Sequence, residues 1–280
     1  MIFMKITFLG TGPSGRIPRP NCKWYVCEEA RKPGSKSARS QTSTFFSAIG
    51  GSASGGEFSQ TNVLIDVSQD FEKQVKLLDK KQIDFIFLTH GHSDAAYGLP
   101  LLTSKKYKKR FTPVIYTEKQ TFEVAKKEMP EIAGLNFKFI EPFHEYNFKD
   151  FRLIPFRVEH AFNPRFLTLG YLFEIGKKRV VYASDFKEMS RESKNLIKNA
   201  DLAILDCAAY KRPIPTHVSF PEILELAKEM KFKKIYLTQV GIAWPHYELA
   251  QKVIAKQAKN IFLAYDGLCL AGCFSIYVNF

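Results

Sequence analysis

Cysteine is scarce in this chain. Its five thiols, scattered and odd in number among 280 residues, do not make the framework of a secreted, disulfide-stapled domain. Long apolar runs are missing too: none approaches the roughly 18 residues that a membrane-spanning helix needs. The opening Met1 to Gly10 is too short and too strand-like for a secretory signal. No proline-rich or polar linker divides the chain, and no repeat of solenoid length is visible. Together these absences favour a cytoplasmic protein whose residues 1–280 form one domain, without a membrane partner.

What is present is a globular composition, 45% hydrophobic and 14% aromatic, in a chain long enough to bury a substantial core. Lys and Arg number 41 against 28 Asp and Glu, a formal charge of +13. Part of the excess is clustered, at Lys105, Lys106, Lys108, Lys109 and Arg110, and again between Arg31 and Arg39. Such a balance points to an anionic partner, or to a lysine-rich surface that serves solubility. With no nucleic-acid-binding motif in view, a small phosphate ester ranks above nucleic acid. No oligomeric state follows from the pattern, a dimer being compatible with it.

Short apolar segments alternate with amphipathic ones. Strands are expected at 5–9, 42–46, 62–67, 83–88, 114–117, 151–158, 168–173, 179–183, 202–206, 234–238, 260–264 and 275–278. Helices are expected at 71–78, 118–128, 191–199, 220–230 and 245–256. In 220–230, Ile223, Leu224, Ala227 and Met230 share a face behind Ser219 as N-cap. Two blocks of strands, each with its helices, imply an α/β fold of packed sheets with helices outside. Between Ser35 and Gln60, Gly50, Gly51, Gly55 and Gly56 with several serines read as a flexible loop or a hairpin tip.

The run Leu88-Thr-His90-Gly-His92-Ser-Asp94 closes a strand with no polar side chain between Phe85 and Leu88, which reads as buried. Two histidines two residues apart at a strand end can turn to one point, and neutral imidazole is the commonest metal ligand. With only six histidines in the chain, that spacing favours a metal site over an incidental loop. Other strands end in Glu159-His160, Ser184-Asp185, Asp206-Cys207 and Thr238-Gln239. Three histidines and an aspartate from such ends would satisfy a zinc site with water in the open position.

Those residues, taken in order, resemble the metallo-β-lactamase superfamily, nearest its phosphodiesterase branch. The likeness runs through Leu9-Gly-Thr-Gly12, Leu64-Ile-Asp66, His90 to Asp94, Gly170-Tyr171, Tyr182 to Asp185, His217-Val-Ser219, Tyr236-Leu-Thr238 and Ala264 to Leu268. It implies a four-layered αββα sandwich of two mixed sheets, with a metal centre at one edge. It implies that His90, His92 and His160 hold one ion, with Asp185 bridging toward a second. That second ion would need Asp94 and two further histidines, but Ala95 and Gln239 stand in the histidine places. Asp94, Asp185 and the Gln239 amide oxygen then offer only a weak, oxygen-preferring site. The resemblance therefore implies a metal-dependent hydrolase, a phosphodiesterase of a small or cyclic phosphate ester, with one tightly held Zn²⁺ (or Mn²⁺ or Fe²⁺). Asp94 would orient or deprotonate the water, and His217 would stabilise charge or protonate the leaving group. The alternatives are a weakened binding protein, a cofactor-biosynthesis role and, ranked lower, an RNA endonuclease. The second of these rests on Ala38 to Ser43, similar to the opening loop of pyrroloquinoline-quinone biosynthesis protein B.

Cys22 and Cys27 fall where that branch carries a Cys-x-Cys-x-x-Cys zinc element. Trp24 takes its middle place, which leaves a vestigial pair where a structural zinc needs four ligands. Cys269 and Cys273 read as two buried thiols. Asp66 and Asp206 end strands near the site; the resemblance implies that such residues orient a ligand histidine, and an N-cap or turn role is the alternative. His246 is expected to open the last long helix beside the pocket, and His144 to have no role.

Overall fold

A computed structural model of the chain describes residues 2–50, 59–78, 81–160, 167–271 and 275–276. The first sheet begins with β1 (Ile2–Gly10), β2 (Ser43–Gly50), β3 (Ser59–Ile65), β4 (Phe85–Phe87), β5 (Val114–Thr117) and β6 (Phe137–Phe139). The second contains β7 (Tyr146–Asn147), β8 (Arg152–Val158), β9 (Thr168–Ile175), β10 (Lys178–Ala183), β11 (Leu202–Asp206), β12 (Lys234–Thr238) and β13 (Ile261–Leu263). The chain then returns to the first sheet with β14 (Cys269–Ala271) and β15 (Ser275–Ile276). The strand orders are β15-β14-β1-β2-β3-β4-β5-β6 and β13-β12-β11-β10-β9-β8-β7.

Both sheets are mixed in the same way. In the first, β1 to β3 pair antiparallel and β3 to β6 parallel. In the second, β7 to β10 pair antiparallel and β10 to β13 parallel. Parallel neighbours need crossovers, and helices supply them. The helices are α1 (Tyr25–Ala30), α2 (Phe71–Gln74), α3 (Ser93–Ala96), α4 (Pro100–Thr103), α5 (Lys119–Glu128), α6 (Arg191–Ile197), α7 (Phe220–Met230) and α8 (Tyr247–Gln257). α2 to α5 lie between strands of the first sheet, α6 to α8 between strands of the second. Where helices cover the parallel strands, both faces are apolar and the side chains alternate between two cores. Val180 and Tyr182 of β10 enter the core between the sheets, whereas Val181 and Ala183 face the helical side. Phe87 of β4 enters the inter-sheet core, and Ile86 and Leu88 meet the other helical layer. The result is the expected four-layered αββα sandwich.

Aromatic rings fill the seam between the sheets. Phe46 of β2 stacks on Phe173 of β9 with centroids 4.9 Å apart. Phe87 meets Tyr116, Phe148, Tyr171 and Phe173 at 5.1, 5.6, 5.5 and 6.1 Å. Two hydrogen bonds fasten the seam beside the end of β4: Leu169 N–H donates to Thr89 O at 2.8 Å, and the Tyr171 hydroxyl donates to Leu88 O.

Several expected boundaries coincide with the observed ones, among them β5, β11, β12 and α7. Ser219 does precede α7, and its N–H donates to the Glu222 carboxylate at 2.8 Å to close the first turn. Within the stretch from 35 to 60, the expected strand at 42–46 extends to Gly50, so less of the stretch is loop than its glycines and serines suggest. Ser43 to Gly50 is the inner strand β2, flanked by β1 and β3. Its small polar side chains are buried because they are paired: Ser43 Oγ donates to Ile65 O at 3.1 Å and Ser47 Oγ to Asn62 at 2.9 Å. The preceding stretch is held equally well. Arg39 donates to Thr11 Oγ1 and Ala264 O at 2.6 and 2.7 Å, and Ser40 N–H to Asp266 at 2.7 Å. Gly51, Gly55 and Gly56 lie outside the described residues. Cys269 is half-buried rather than buried, since β14 lies next to the edge strand β15, and Cys273 also lies outside the described residues. No helix among the described residues is long and apolar enough to cross a membrane.

Because Phe87 touches rings from both sheets, Phe87→Ala should lower unfolding free energy by about 3–5 kcal/mol, measured by urea denaturation. Phe87→Leu should cost clearly less, and equal losses for the two variants would contradict a packing role.

Candidate metal centre

The parallel strands of each sheet end at one edge, and there the polar residues of the sequence motifs gather. After β4 the chain passes through Thr89 and His90, and His92 caps α3. Thr89 is fixed by Asp66, the residue after β3. Its N–H donates to Asp66 Oδ1 at 2.8 Å and its hydroxyl lies 2.9 Å from Oδ2. Asp66 has a φ of 62°, in the left-handed region that aspartate tolerates better than most residues. The Thr89 oxygen is also 2.8 Å from His90 Nδ1. With the Thr89 proton given to the Asp66 carboxylate, the oxygen accepts Nδ1–H, and His90 keeps a bare lone pair on Nε2. That Nε2 is buried and has no hydrogen-bond partner. Burial lowers the His90 pKa to about 3, so the ring is neutral. A buried polar atom without a partner costs on the order of 1–3 kcal/mol, and a cation would satisfy it.

His160 follows β8 and is buried. Its Nδ1–H donates to Thr216 O at 2.9 Å, since a carbonyl can only accept, and this leaves Nε2 as the lone-pair atom. The rings of His90, His92 and His160 face one another with centroid separations of 4.6, 5.2 and 5.2 Å. One nitrogen from each lies within 4.8 Å of the others, a donor set that fits a divalent ion such as zinc. Burial and the neighbouring His160 lower the His92 pKa as well, which keeps that imidazole in the ligating form.

Asp185 follows β10, and it forms a second close group with His160 and His217. Burial alone would raise its pKa, but the imidazoles of His90, His160 and His217 hold it at about 2. Gln239 contacts it from the end of β12 with an inverted polarity. The amide nitrogen of Gln239 donates to Asp185 Oδ1, and its oxygen accepts from Thr42 Oγ1 at 3.1 Å. In this arrangement the ionised Asp185 carboxylate takes the Gln239 NH₂ group, and the amide oxygen expected as a weak ligand turns to the Thr42 hydroxyl. Ala95 is buried and brings no donor atom of its own.

His217 lies against His160, with ring centroids 4.6 Å apart, and its Nδ1 is 2.6 Å from Asp206 Oδ2. Asp206 is fully buried, and its oxygens also accept the N–H groups of Phe186 and Ala208 at 3.0 and 2.8 Å. Burial opposes a charge on His217, yet Asp206, Asp185 and Asp94 together raise its pKa to about 9. Asp94, in the first turn of α3, is pushed up to about 6 by burial and by Asp185. Both side chains line an open cleft of about 330 Å³ with Ser14, His92, Tyr97, Glu128 and His160.

The edge thus brings together His90, His92, His160, Asp185, Asp94, His217 and Gln239. Asp206 orients His217, while Asp66 acts on His90 only through Thr89. That bridge was missed in the sequence, although a threonine immediately before the first histidine is the residue able to make it. Tyr97, just after α3, and Glu128, the last residue of α5, also line the cleft and carried no motif in the sequence. His246 does cap α8, but it pairs with Glu248 at 3.0 Å and meets the Tyr25 ring at 5.2 Å. His144 is exposed and bonds Pro142 O at 3.3 Å.

The chain belongs to the β-lactamase superfamily, whose domain model matches residues 61–238, well over half of its length. Solved structures agree on the metallo-β-lactamase fold. A diphosphatase from the PhnP family is 24% identical, with a TM-score of 0.80 over 97% of this chain and 98% of that one. Zn²⁺-bound PqqB from Methylobacterium extorquens is 17% identical, with a TM-score of 0.76 over 95% and 99%. Human tRNase Z, short form, is 17% identical, with a TM-score of 0.61 over 98% and 100%. Among curated proteins, ribonuclease J 2 of Streptococcus pyogenes serotype M3 is 28% identical over 113 residues. That match covers 39% of this chain and 19% of the ribonuclease, so the chain spans about a fifth of its length.

The ion pair of His217 with Asp206 has a pH signature. The folded pKa of about 9 exceeds the unfolded value of roughly 6.5. The stabilisation is therefore complete below the unfolded value and is lost as pH rises through the folded one. In chelator-treated protein, Asp206→Asn should lower the urea midpoint at about pH 6 and much less at about pH 10. A constant offset across that range would rule the coupling out.

Proposed function

We propose that the chain is a metal-dependent phosphodiesterase that uses one tightly held divalent ion, zinc by preference, to hydrolyse a small or cyclic phosphate ester. One observation carries this reading: His90, His92 and His160 present a nitrogen each within 4.8 Å, and the buried His90 Nε2 has no protein partner. These three imidazoles would hold the ion, with Asp185 beside them. When bound, such an ion supplies Lewis acidity and brings the pKa of a coordinated water toward neutrality.

The remaining work falls to the chain's own residues. Asp94 and His217 face the same cleft with pKa values pushed apart, about 6 and about 9. Near neutral pH the carboxylate is ionised and the imidazole charged, the states required of a base and an acid. Asp94 would orient a water and accept its proton. His217, kept cationic by Asp206, would neutralise charge on the phosphate and deliver a proton to the leaving oxygen. The net charge of +13 favours an anionic substrate. Gln239 as a donor to Asp185, and Ala95 without a ligand atom, support a single ion rather than a pair.

Purified protein should contain about one equivalent of metal, and His92→Ala should reduce both metal content and hydrolysis of bis(p-nitrophenyl) phosphate by at least about a hundredfold while retaining the wild-type circular dichroism spectrum. Near-normal turnover in that variant would refute the assignment. Ala95→His combined with Gln239→His should raise elemental stoichiometry to about two equivalents, and an unchanged ratio would argue against the single-ion account. A second reading, RNA hydrolysis, is favoured by the basic charge and by the partial likeness to ribonuclease J 2. Cleavage of a single-stranded RNA with no turnover of cyclic nucleotide esters would select it.

A further inference from the structure

Within the β1–β2 connection, Cys22 and Cys27 form a pair that the metal centre does not use. Cys22 lies in the turn that leads into α1, where its N–H donates to Arg19 O at 3.3 Å. Its sulfur accepts the Trp24 N–H at 3.4 Å, and its side chain packs against the small buried cluster that contains Cys27. Cys27, in the first turn of α1, is fully buried with Ile17, Val26 and Ala30, against which Ile242 packs. Cys22 is thus half-buried and Cys27 buried within the same small cluster. Arg31 is tied to the same turn, its Nη2 donating to Arg19 O at 3.1 Å.

We propose that Cys22 and Cys27 are a redox-responsive dithiol that hydroperoxides close to an intramolecular disulfide, with Cys22 as the attacking sulfur and Cys27 as the resolving one. The Cys22 thiolate attacks one peroxide oxygen. The O–O bond breaks, an alcohol (or water) leaves, and Cys22 becomes a sulfenic acid. The Cys27 sulfur then attacks Cys22. The S–S bond forms, the S–O bond breaks, and the hydroxyl departs as water with the Cys27 proton. Both thiols are oxidised by one electron each, and the peroxide takes up the two electrons.

The surroundings suit that division of labour. The Cys27 thiol, the Trp24 N–H and the Arg31 and Arg19 charges hold Cys22 below the usual thiol range, whereas burial raises Cys27. A thiolate that is stabilised and accessible is the reactive form, and a buried thiol is inert toward bulk oxidant. Cys22 belongs to no helix or strand, so the turn from Arg19 to Trp24 can adjust while α1 stays packed.

The test treats purified full-length protein with hydrogen peroxide and reads intact mass and tryptic peptides. The expected product has lost two hydrogens and links the peptides containing Cys22 and Cys27. Cys22→Ser should abolish that product, and Cys27→Ser should instead leave Cys22 trapped as a sulfenic acid detectable with dimedone. In unoxidised protein, Cys22 should react with iodoacetamide at least about tenfold faster than Cys269. A linkage elsewhere, equal reactivity of Cys22 and Cys269, or a Cys27→Ser variant without a dimedone adduct would each overturn the proposal. So would thiols that resist oxidation until a chelator is added, because the pair would then be holding a soft metal. Metal content and phosphodiesterase activity do not enter these readouts, so the result stands apart from the assignment of the metal centre.

Discussion

The structure depends on one interface, the aromatic seam that holds the two sheets face to face. Phe46 on Phe173, and Phe87 among Tyr116, Phe148, Tyr171 and Phe173, set the separation and alignment of the sheets. Aromatic contacts in tilted and edge-on geometries are both apolar and directional, so they resist sliding better than a smooth aliphatic layer. The hydrogen bonds from Leu169 and Tyr171 to the backbone after β4 fix the register at the edge where chemistry is expected. His90 and His160 face each other because that register is held.

Each sheet is half antiparallel and half parallel, and this arrangement has a chemical use. Antiparallel hairpins build the outer part locally, while helical crossovers return the chain so that successive parallel strands end on one line. β8 and β10 both run antiparallel to β9, so β8 ends on the same side as the parallel strands. β3, β4, β8, β10, β11 and β12 deliver Asp66, His90, His160, Asp185, Asp206 and Gln239 to a common edge. The last residues of β3, β4, β8 and β10 (Ile65, Phe87, Val158 and Ala183) are apolar and buried, and the polar residues follow them. Gln239 at φ 57° and Asp66 at φ 62° mark where two of those strands turn sharply as they leave the sheet.

Much of this was legible in the sequence, for identifiable reasons. β11 and β12 are continuous apolar runs, and α7 carries Ile223 and Met230 on one face behind Ser219, so period and cap agreed. The His90, His92, Asp94 cluster stood out because histidine is rare and the preceding strand is uninterrupted. The glycine- and serine-rich stretch misled because composition does not reveal partners. Ser43, Ser47 and Arg39 are buried only because Ile65, Asn62, Thr11 and Ala264 supply acceptors from distant parts of the chain. The orientation of the Gln239 amide was equally hidden, since it follows from the charge of Asp185 and the hydroxyl of Thr42. Short elements such as α3 and β7 have too few residues for any period to show.

The donor atoms at the edge come from both halves of the sandwich: His90 and His92 follow β4 of the first sheet, while His160, Asp185 and His217 belong to the second. The three-histidine set therefore needs both halves, whereas His160, Asp185 and His217 form a close group within the second half alone. An ion bound by the three histidines would act as a rivet across the two sheets. Its binding free energy would add to the resistance against their separation and contribute little to local unfolding within either one.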